Sequence, residues 1–288
     1  RQHGRGSFTG AVFSCGEGQR RYKLYVPPGP ARAPRPLLVL LHGCTQNADD
    51  FATGTAMNGL ADEQDCLVLY PEQDRGANPN GCWNWFDPAH QARAGEPALI
   101  AALTRQVMAE QDADPARVYV AGLSAGGAMA AVLGAAYPEL YAGVGVHSGL
   151  PAGSGRDMIS GLQAMKRPGH TARLRQAVPI IVFHGDADSV VHPDNGQTVL
   201  RQFIAPHGPH ALTETRTREE ATGHACTRAR WHTAAGELVA EHWLVHGAAH
   251  AWQGGDPAGS HASAAGPSAT RAMLAFFLHR HAEVTQPA

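Results

Sequence analysis

The chain has 288 residues, of which 43% are hydrophobic and 17% charged, and its formal net charge is −2. This length and hydrophobic content are typical of a globular protein whose core buries about three quarters of the surface of the unfolded chain. The weak net charge creates no field that would favour nucleic acid or an anionic membrane, and no apolar run is long enough to span a bilayer. We therefore expect neither a nucleic-acid partner nor a membrane segment.

The cysteines and histidines show no metal-binding pattern. No Cys-x-x-Cys pair occurs, and the odd number of five cysteines leaves at least one thiol free. One or two disulfides in an oxidising compartment, or five reduced thiols, fit the sequence equally well. The seventeen histidines are scattered, and we expect His279 and His281 to lie at a solvated helix end, so neither a metal nor a cofactor is predicted. The cysteines are Cys15, Cys44, Cys66, Cys82 and Cys226.

The predicted elements of the first half of the chain alternate between strands and helices. Residues 1–20 are polar and glycine-rich, which predicts an irregular or edge segment. The continuous apolar run at 37–41 is typical of a strand that is buried on both faces of a parallel sheet. The other predictions are a strand at 22–26, one helix at 47–64, a buried strand at 66–70, a long aromatic-rich loop at 71–95 and a helix at 97–112.

The second half continues this alternation. A strand that ends near Gly122 precedes a helix of small residues, and the Gly/Arg-rich stretch 149–178, with a helical patch at 158–165, is interpreted as a cap or lid. Together the elements predict an α/β fold with a mostly parallel central sheet and helices on both faces, in a single domain over 1–288. The remaining predictions are strands at 144–147, 179–183 and 243–246, helices at 194–204 and 270–281, and an antiparallel excursion at 211–221 and 227–234.

The stretch Gly122-Leu-Ser-Ala-Gly126 stands between that strand and that helix. A serine on a tight strand-to-helix turn presents its hydroxyl at the edge of the sheet, and flanking glycines let the backbone turn without Cβ clashes. We therefore predict that Ser124 is a catalytic nucleophile. The alternative is an ordinary serine in a glycine-rich turn, because the five-residue pattern alone also occurs by chance.

A catalytic serine needs a base and a carboxylate that orients the base, both in loops that follow sheet strands. In His184-Gly-Asp-Ala-Asp188, Asp186 and Asp188 compete for the role of the acid. Asp188 lies three residues after the glycine that ends the strand, so the chain can turn its carboxylate back towards the sheet edge. We predict Asp188 as the acid and interpret Asp186 as a loop residue that caps local backbone amides.

The base is expected in the loop after the last predicted strand. His246 is predicted to lie within that strand, whereas His250 follows in the loop, where its ring can reach the serine. His242 and His261 are the alternatives. We predict that His250 is the general base.

The oxyanion of an acyl-transfer intermediate needs two backbone N–H groups. We predict that these are the amides of Ala125, which follows the nucleophile, and of Cys44, which follows the strand that ends at Gly43. Cys44 and Cys82 either form a disulfide that ties this oxyanion loop to the aromatic-rich loop or are two unrelated thiols.

The chain carries six motifs of one pattern: Leu41-His-Gly-Cys-Thr-Gln46, Leu69-Tyr-Pro-Glu72, Cys82-Trp-Asn-Trp-Phe86, Gly122-Leu-Ser-Ala-Gly-Gly-Ala-Met129, His184-Gly-Asp-Ala-Asp188 and His250-Ala-Trp-Gln-Gly-Gly255. Together they resemble the polyhydroxybutyrate-depolymerase esterase family, which includes feruloyl and acetylxylan esterases. The resemblance runs from about Tyr22 to the C-terminal helix. It implies an α/β-hydrolase fold in the uninterrupted order, without circular permutation.

The same resemblance implies roles for individual residues and no cofactor. It makes Trp85 and Trp252 candidates to line an exposed substrate groove, with packing in the core or in a loop as the alternative for both. The site that it implies consists of Ser124, Asp188 and His250, with the backbone amides of Cys44 and Ala125 for the oxyanion.

The chain departs from the family pattern in two respects: it shows no polymer-binding domain or linker, and it shows no secretion signal. Mature secreted proteins lack a signal in any case. We expect a secreted or periplasmic protein rather than a cytoplasmic one, and a monomer.

The site residues predict a serine carboxylesterase, and the family resemblance implies poly(3-hydroxybutyrate) or its oligomers as the substrate. The first alternative is a feruloyl or acetylxylan esterase, which acts on plant cell-wall esters. An aromatic-acid pocket would favour feruloyl esters, and a shallow open groove would favour a polyester. The remote alternative is a catalytically silent polymer-binding module that uses Trp83, Trp85 and Trp252.

Overall fold

Ten strands form one sheet through the middle of the molecule, and the computed structural model describes residues 3–281 of the chain. The strands are β1 (Ser7–Cys15), β2 (Gly18–Val26), β3 (Leu37–Leu41), β4 (Leu67–Pro71), β5 (Val118–Leu123), β6 (Gly143–His147), β7 (Ile180–Gly185), β8 (Leu212–Glu219), β9 (Cys226–Thr233) and β10 (Leu238–Val245). The α-helices are α1 (Ala48–Thr55), α2 (Met57–Gln64), α3 (Gly95–Gln111), α4 (Ala125–Ala136), α5 (Met158–Lys166), α6 (Asp194–Ile204) and α7 (Ala269–His279).

The strand order is β1-β2-β4-β3-β5-β6-β7-β10-β9-β8. The six central strands β4, β3, β5, β6, β7 and β10 are parallel to one another. At one edge of the sheet β1 and β2 form an antiparallel hairpin, and at the other edge β8 and β9 pair antiparallel. The predicted α/β class and mostly parallel sheet are therefore confirmed. Because parallel strands end at the same edge, the loops after β3, β5, β6, β7 and β10 meet there.

Each central strand is buried on both faces, which explains its continuous apolar run. On one face, Leu37, Val39 and Leu41 pack in a core with residues of α3, α4 and α6, among them Leu103, Leu133 and Phe203. On the other face, Leu38 and Leu40 pack in a core with residues of α1, α2 and α7, among them Phe51, Leu60 and Phe277.

One prediction about local structure was wrong in part. The helix predicted at 47–64 is two helices, because Ala56 adopts the left-handed conformation (φ 51°, ψ 28°) between α1 and α2. For the polar segment 1–20 the edge alternative is confirmed, since β1 pairs with β2 along all nine residues and forms the sheet edge. The antiparallel excursion is confirmed as the pair β8 and β9.

None of the helices within residues 3–281 is both long and apolar enough to cross a membrane. Inside the same range, no group of three or more histidine, cysteine, aspartate or glutamate side chains is arranged to hold a metal ion.

His242 lies on β10 with only 3% of its surface exposed. Its cross-strand partner Val182 faces Gly196 of α6, so the imidazole lies under that helix. Its Nε2 has no hydrogen-bond partner in the described part of the chain. Burial lowers the pKa of His242 from 6.5 to about 3.

This buried imidazole predicts a pH dependence of stability. Between pH 6.5 and about 3 the unfolded chain binds a proton at His242 and the folded chain does not, so the free energy of unfolding falls as the pH falls through this window. The loss is at most about 1.4 kcal/mol per pH unit. We expect His242→Leu to raise the free energy of unfolding more at pH 5 than at pH 8, by about 1–2 kcal/mol.

Urea unfolding of wild type and His242→Leu at the two pH values measures this difference. The control is His210→Leu, at an exposed position, which should show no such pH-dependent gain. An equal effect of His242→Leu at both pH values would contradict a lowered pKa of His242 in the folded protein.

Candidate active site

Ser124 occupies the turn between β5 and α4, with φ 57° and ψ −118°. A side chain rarely adopts such a positive φ, and the neighbouring glycines show why it is imposed here. A Cβ on Gly122 would lie 2.3 Å from the Gly126 carbonyl carbon, and a Cβ on Gly126 would lie 2.0 Å from the carbonyl oxygen of Leu41. The turn is therefore possible only with glycine at both positions. Its geometry is that of a nucleophile elbow.

The structure brings the predicted nucleophile, base and acid into contact. The Nε2 atom of His250 lies 3.0 Å from Ser124 Oγ, and its Nδ1 atom lies 2.7 Å from Asp188 Oδ2. The other carboxylate oxygen of Asp188 accepts hydrogen bonds from the amides of Val190 and Val191, each at 2.9 Å. The three side chains come from the loops after β5, β7 and β10, so the parallel sheet places them at one edge.

Asp188 is fully buried at its side chain and nevertheless ionised. Burial raises its pKa, but hydrogen bonds from His184, His250 and the Val191 amide outweigh burial and hold the pKa of this carboxyl well below its usual range. The His184 ring contributes through Nε2, which lies 3.3 Å from Asp188 Oδ2 and 2.8 Å from the carbonyl oxygen of Val191. A charged carboxylate at this point keeps the proton of His250 on Nδ1 and leaves Nε2 free to accept one from the serine.

His147, at the end of β6, is a site residue that the sequence analysis missed. Its carbonyl oxygen accepts the Ser124 amide at 2.9 Å, and its Nε2 accepts the Gln253 amide at 3.1 Å. The ring stacks between Phe183 and Trp252, with centroid distances of 5.5 and 4.8 Å. Burial lowers the pKa of His147 well below 6.5, so the ring is neutral and ties the serine turn to the loop that carries His250. The only signal in the sequence was its position as the last residue of a buried strand.

The predicted oxyanion amides lie on either side of the serine turn. A Cβ on Gly43 would lie 3.6 Å from Ser124 Cβ, which places the loop after β3 against the nucleophile. Ala125 is the first residue of α4, and the first amides of a helix have no acceptor within it. Within residues 3–281, neither the Ala125 amide nor the Cys44 amide is bonded to an acceptor. Both can therefore donate to an oxygen atom of a ligand.

The aromatic-rich loop is fastened to the oxyanion loop at several points. Of the two alternatives for Cys44 and Cys82 the structure has the disulfide, while Cys15, Cys66 and Cys226 are free thiols. The indole of Trp83 donates to the carbonyl oxygen of His42 at 3.1 Å. At the base of the loop, the buried carboxylate of Glu96 accepts hydrogen bonds from the amide and the side chain of Asn84, at 2.6 and 2.9 Å.

The two tryptophans predicted to line a groove are both buried. For Trp252 the prediction was wrong: 1% of its surface is exposed, its indole donates to Thr270 Oγ1 at 3.0 Å, and it packs in the core on the α7 side of the sheet. Trp85 is 6% exposed and packs in a cluster with Ala125 and Val191, which are close in sequence to Ser124 and Asp188. A contact between Trp85 and substrate stays a prediction.

The alternative bases take no part in this arrangement. His242 lies inside β10, and His261 is exposed with φ 48° and accepts the Trp252 amide through its carbonyl oxygen. Among the described residues, neither histidine ring is hydrogen-bonded to Ser124 or Asp188.

A second Asp–His pair joins the same two loops. Asp186 Oδ2 lies 2.9 Å from His246 Nδ1, and the Nε2 atom of His246 lies 2.7 Å from Thr227 Oγ1. The amide of Gly247 donates to Asp186 Oδ1 at 2.7 Å. Two expectations are corrected: Asp186 caps an amide 61 residues away rather than a local one, and His246 follows β10, which ends at Val245. Asp186 and His246 thus clamp the loop of Asp188 to the loop of His250.

The Asp186 carboxylate of this pair is charged at neutral pH. Burial raises the pKa of Asp186, but the hydrogen bonds from His246 and the Gly247 amide outweigh it and lower the pKa overall. Backbone bonds reinforce the contact, since the amides of Asp186 and Ala187 donate to the carbonyl oxygens of Val245 and Ala248 at 3.0 and 3.1 Å.

The parallel sheet, the elbow and the loops that meet at its edge define the class of protein as the α/β-hydrolase fold. The chain belongs to the esterase PHB depolymerase family, whose model matches residues 20–225. It is therefore a member of a family of carboxylic ester hydrolases.

Individual relatives differ in their named substrates. The chain is 34% identical to poly(3-hydroxyalkanoate) depolymerase C of Paucimonas lemoignei over 68% of its own length and 50% of the relative. It is 31% identical to feruloyl esterase B of Neurospora crassa, over 64% of this chain and 68% of that one. Acetyl xylan esterase from Aspergillus awamori shares the fold, with a TM-score of 0.67 at 18% identity over 94% of this chain and 99% of that chain. The chain thus spans about half the length of the depolymerase that it matches.

The disulfide predicts three free thiols rather than five in the unreduced, unfolded protein. Reduction should lower the free energy of unfolding by about 2–4 kcal/mol, because it releases a link between residues 38 apart in sequence. Thiol titration and urea unfolding with and without reductant measure both effects. Cys15→Ser is the control, since Cys15 is a free thiol in either state, and a count of five thiols would exclude the bond.

The clamp predicts that Asp186→Ala lowers kcat for p-nitrophenyl butyrate by about tenfold with little change in KM, because the loop of His250 loses its tie to the loop of Asp188. Steady-state kinetics well below the melting temperature measure the effect. Asp194→Ala is the matched control: it removes another aspartate paired with a histidine, His192 at 3.5 Å, on the exposed start of α6. An unchanged kcat in a folded Asp186→Ala variant would show that the clamp does not position the base.

Proposed function

We propose that the protein is a serine carboxylesterase in which Ser124 is the nucleophile, His250 the general base and Asp188 the carboxylate that orients the base. The observation that carries this proposal is the continuous row of hydrogen bonds from Ser124 Oγ to His250 at 3.0 Å and from His250 to Asp188 at 2.7 Å. The strained backbone of the serine turn and the two unpaired amides beside it support the same chemistry.

Ser124 Oγ attacks the carbonyl carbon of the ester and passes its proton to Nε2 of His250. The Asp188 carboxylate stabilises the imidazolium that forms, and the amides of Cys44 and Ala125 donate to the tetrahedral oxyanion. Collapse breaks the bond to the alcohol, which takes the proton from Nε2 and leaves an ester on Ser124. A water molecule then attacks this acyl-enzyme by the same sequence and releases the acid. No step requires a cofactor.

For the substrate we propose poly(3-hydroxybutyrate) or its oligomers. Support comes from the 34% identity to a polyhydroxyalkanoate depolymerase and from the large apolar side chains exposed on the segments around the site, Met158, Ile159, Leu162 and Val190. The alternative is a feruloyl or acetylxylan esterase acting on plant cell-wall esters. The feruloyl esterase at 31% identity and the acetylxylan esterase A of Emericella nidulans at 27% support it.

A silent polymer-binding module finds less support. Aromatic platforms that bind polymers need exposed rings, whereas Trp83, Trp85 and Trp252 are 0, 6 and 1% exposed.

We further propose a secreted or periplasmic location and a monomeric state. The disulfide between Cys44 and Cys82 supports the location, because such bonds persist in oxidising compartments.

The mechanism predicts that Ser124→Ala lowers the rate of p-nitrophenyl butyrate hydrolysis by at least about a thousandfold without unfolding the protein. A fluorophosphonate should label wild type and not this variant. Ser14→Ala, an exposed serine on β1, is the control and should retain both properties. A variant that hydrolyses the ester at the wild-type rate would overturn the proposed nucleophile.

The substrate is tested on the same pair of proteins with amorphous poly(3-hydroxybutyrate) granules, methyl ferulate and acetylated xylan. Clearing of the granules with release of 3-hydroxybutyrate oligomers, lost in Ser124→Ala, is the expected result. Release of ferulate or acetate with untouched granules would favour the alternative and leave the mechanism in place.

A further inference from the structure

Helix α5 lies in the lid segment (residues 149–178). It buries small residues and exposes large apolar ones, which is the reverse of what a helix that only covers a core does. Its buried residues are Gly161 and Ala164. Three of its four large apolar residues point to solvent, with Met158 61%, Ile159 70% and Leu162 56% exposed, whereas Met165 is partly buried against the cluster that contains Trp85. A surface helix ordinarily buries its large apolar side chains and exposes polar ones. We name Met158, Ile159 and Leu162 the lid face.

These exposed side chains cluster around the candidate active site. At the spacing of a helix, Met158, Ile159 and Leu162 share one side, which is turned away from the side that Gly161 and Ala164 bury. In the described residues only two further large apolar side chains are comparably exposed, Val190 at 47% and Val12 at 53%. Val190 lies two residues after Asp188, whereas Val12 lies on the edge strand β1. Clustered apolar exposure of this kind marks an interaction surface.

The lid face is held in place by the rest of the site. The inner side of α5 packs on the aromatic-rich loop, since a Cβ on Gly161 would lie 2.7 Å from Phe86 Cβ and 3.4 Å from the Trp85 ring. At its C-terminal end, the Asn195 side chain donates to the carbonyl oxygen of Ala164 at 3.0 Å, and the His192 amide donates to that of Met165 at 2.8 Å. The outward direction of the lid face is thus fixed by both flanking loops.

The lid segment is also basic. It carries one acidic residue, Asp157, and five basic ones, so it has a formal excess of four positive charges in a chain whose net charge is −2. This charge disfavours a second copy of the chain as the occupant, because the two lid segments would repel each other. It favours an apolar surface that carries negative groups. The basic residues, all exposed, are Arg156, Lys166, Arg167, Arg173 and Arg175.

We infer that the lid face adsorbs the enzyme on the surface of solid aliphatic polyester, with Met158, Ile159 and Leu162 against its methyl and methylene groups and the basic residues near its carboxylate chain ends. The inference rests on the proposed polyester substrate. Hydrolysis itself creates a new carboxylate at each cut, so the negative charge of the polymer surface grows as the enzyme works. A polymer too large to enter a pocket is thereby held beside the loops of Ser124 and Asp188.

The test separates adsorption from catalysis by using Ser124→Ala as the background. We expect this protein to sediment with amorphous poly(3-hydroxybutyrate) granules, and the further change Ile159→Ser with Leu162→Ser to weaken adsorption at least about tenfold. In the active enzyme the same double change should lower the ratio of granule clearing to p-nitrophenyl butyrate hydrolysis at least about tenfold. Val12→Ser removes a comparably exposed apolar side chain on the edge strand β1 and should change neither quantity.

Adsorption that survives the double change would overturn the inference, and so would binding to anionic phospholipid vesicles without binding to granules. A dimer in light scattering that the double change dissociates would identify a second copy as the occupant instead. If the double variant fails to fold, Ile159→Ser alone decides the question, with an expected loss of adsorption of about threefold.

The two proposals fail in different ways. A wild type that adsorbs on granules but hydrolyses no ester would refute the proposed function alone. Hydrolysis by a double variant whose adsorption is unimpaired would refute only the adsorption through the lid face.

Discussion

The close approach of the serine turn to the strand beside it is the constraint on which the rest of the site depends. Only glycine at 122 and 126 leaves room for the turn, and Ser124 is held with a φ that its own side chain disfavours. Such strain persists only where the surroundings impose it. Here the bond from the Ser124 amide to the His147 carbonyl oxygen fixes the turn to β6, and the helix that starts at Ala125 continues the small residues that let it lie against the sheet.

Both neutral and charged side chains hold the loops of the site together. His147 is buried and neutral, so it can link the serine turn to the Gln253 amide without a buried charge. Asp188 is buried and ionised, which is tolerable only because four donors surround its two oxygens. Asp186 and His246 form a second carboxylate–imidazole pair nearer to solvent, where a charge loses less hydration free energy than in the core.

The sequence predicted the residues that follow buried strands better than it predicted contacts between them. Ser124, Asp188 and His250 each stand a few residues after an apolar run, and the topology of a parallel sheet then brings such loops together. The clamp of Asp186, His246 and Thr227 joins residues that are 60 and 19 apart, for which no local pattern exists. The interruption of the predicted helix at Ala56 could not be predicted either, because alanine favours the helical conformation. Trp252 was misplaced since an aromatic residue in a glycine-rich loop gives no sign of which side it faces.

Because the tryptophans are buried, other side chains must make the exposed contacts that select a substrate. With Trp83 and Trp252 in the core and Trp85 nearly covered, no exposed aromatic ring from these residues can stack on a substrate. The large apolar side chains that remain in solvent near the site are Met158, Ile159 and Leu162 of α5 and Val190 of the loop of Asp188. Aliphatic surfaces gain free energy from any apolar partner in proportion to the area covered, without the directional preference of aromatic stacking. The polyester that we propose as substrate would suit such a surface, because the same contacts would be made wherever along the polymer the enzyme binds.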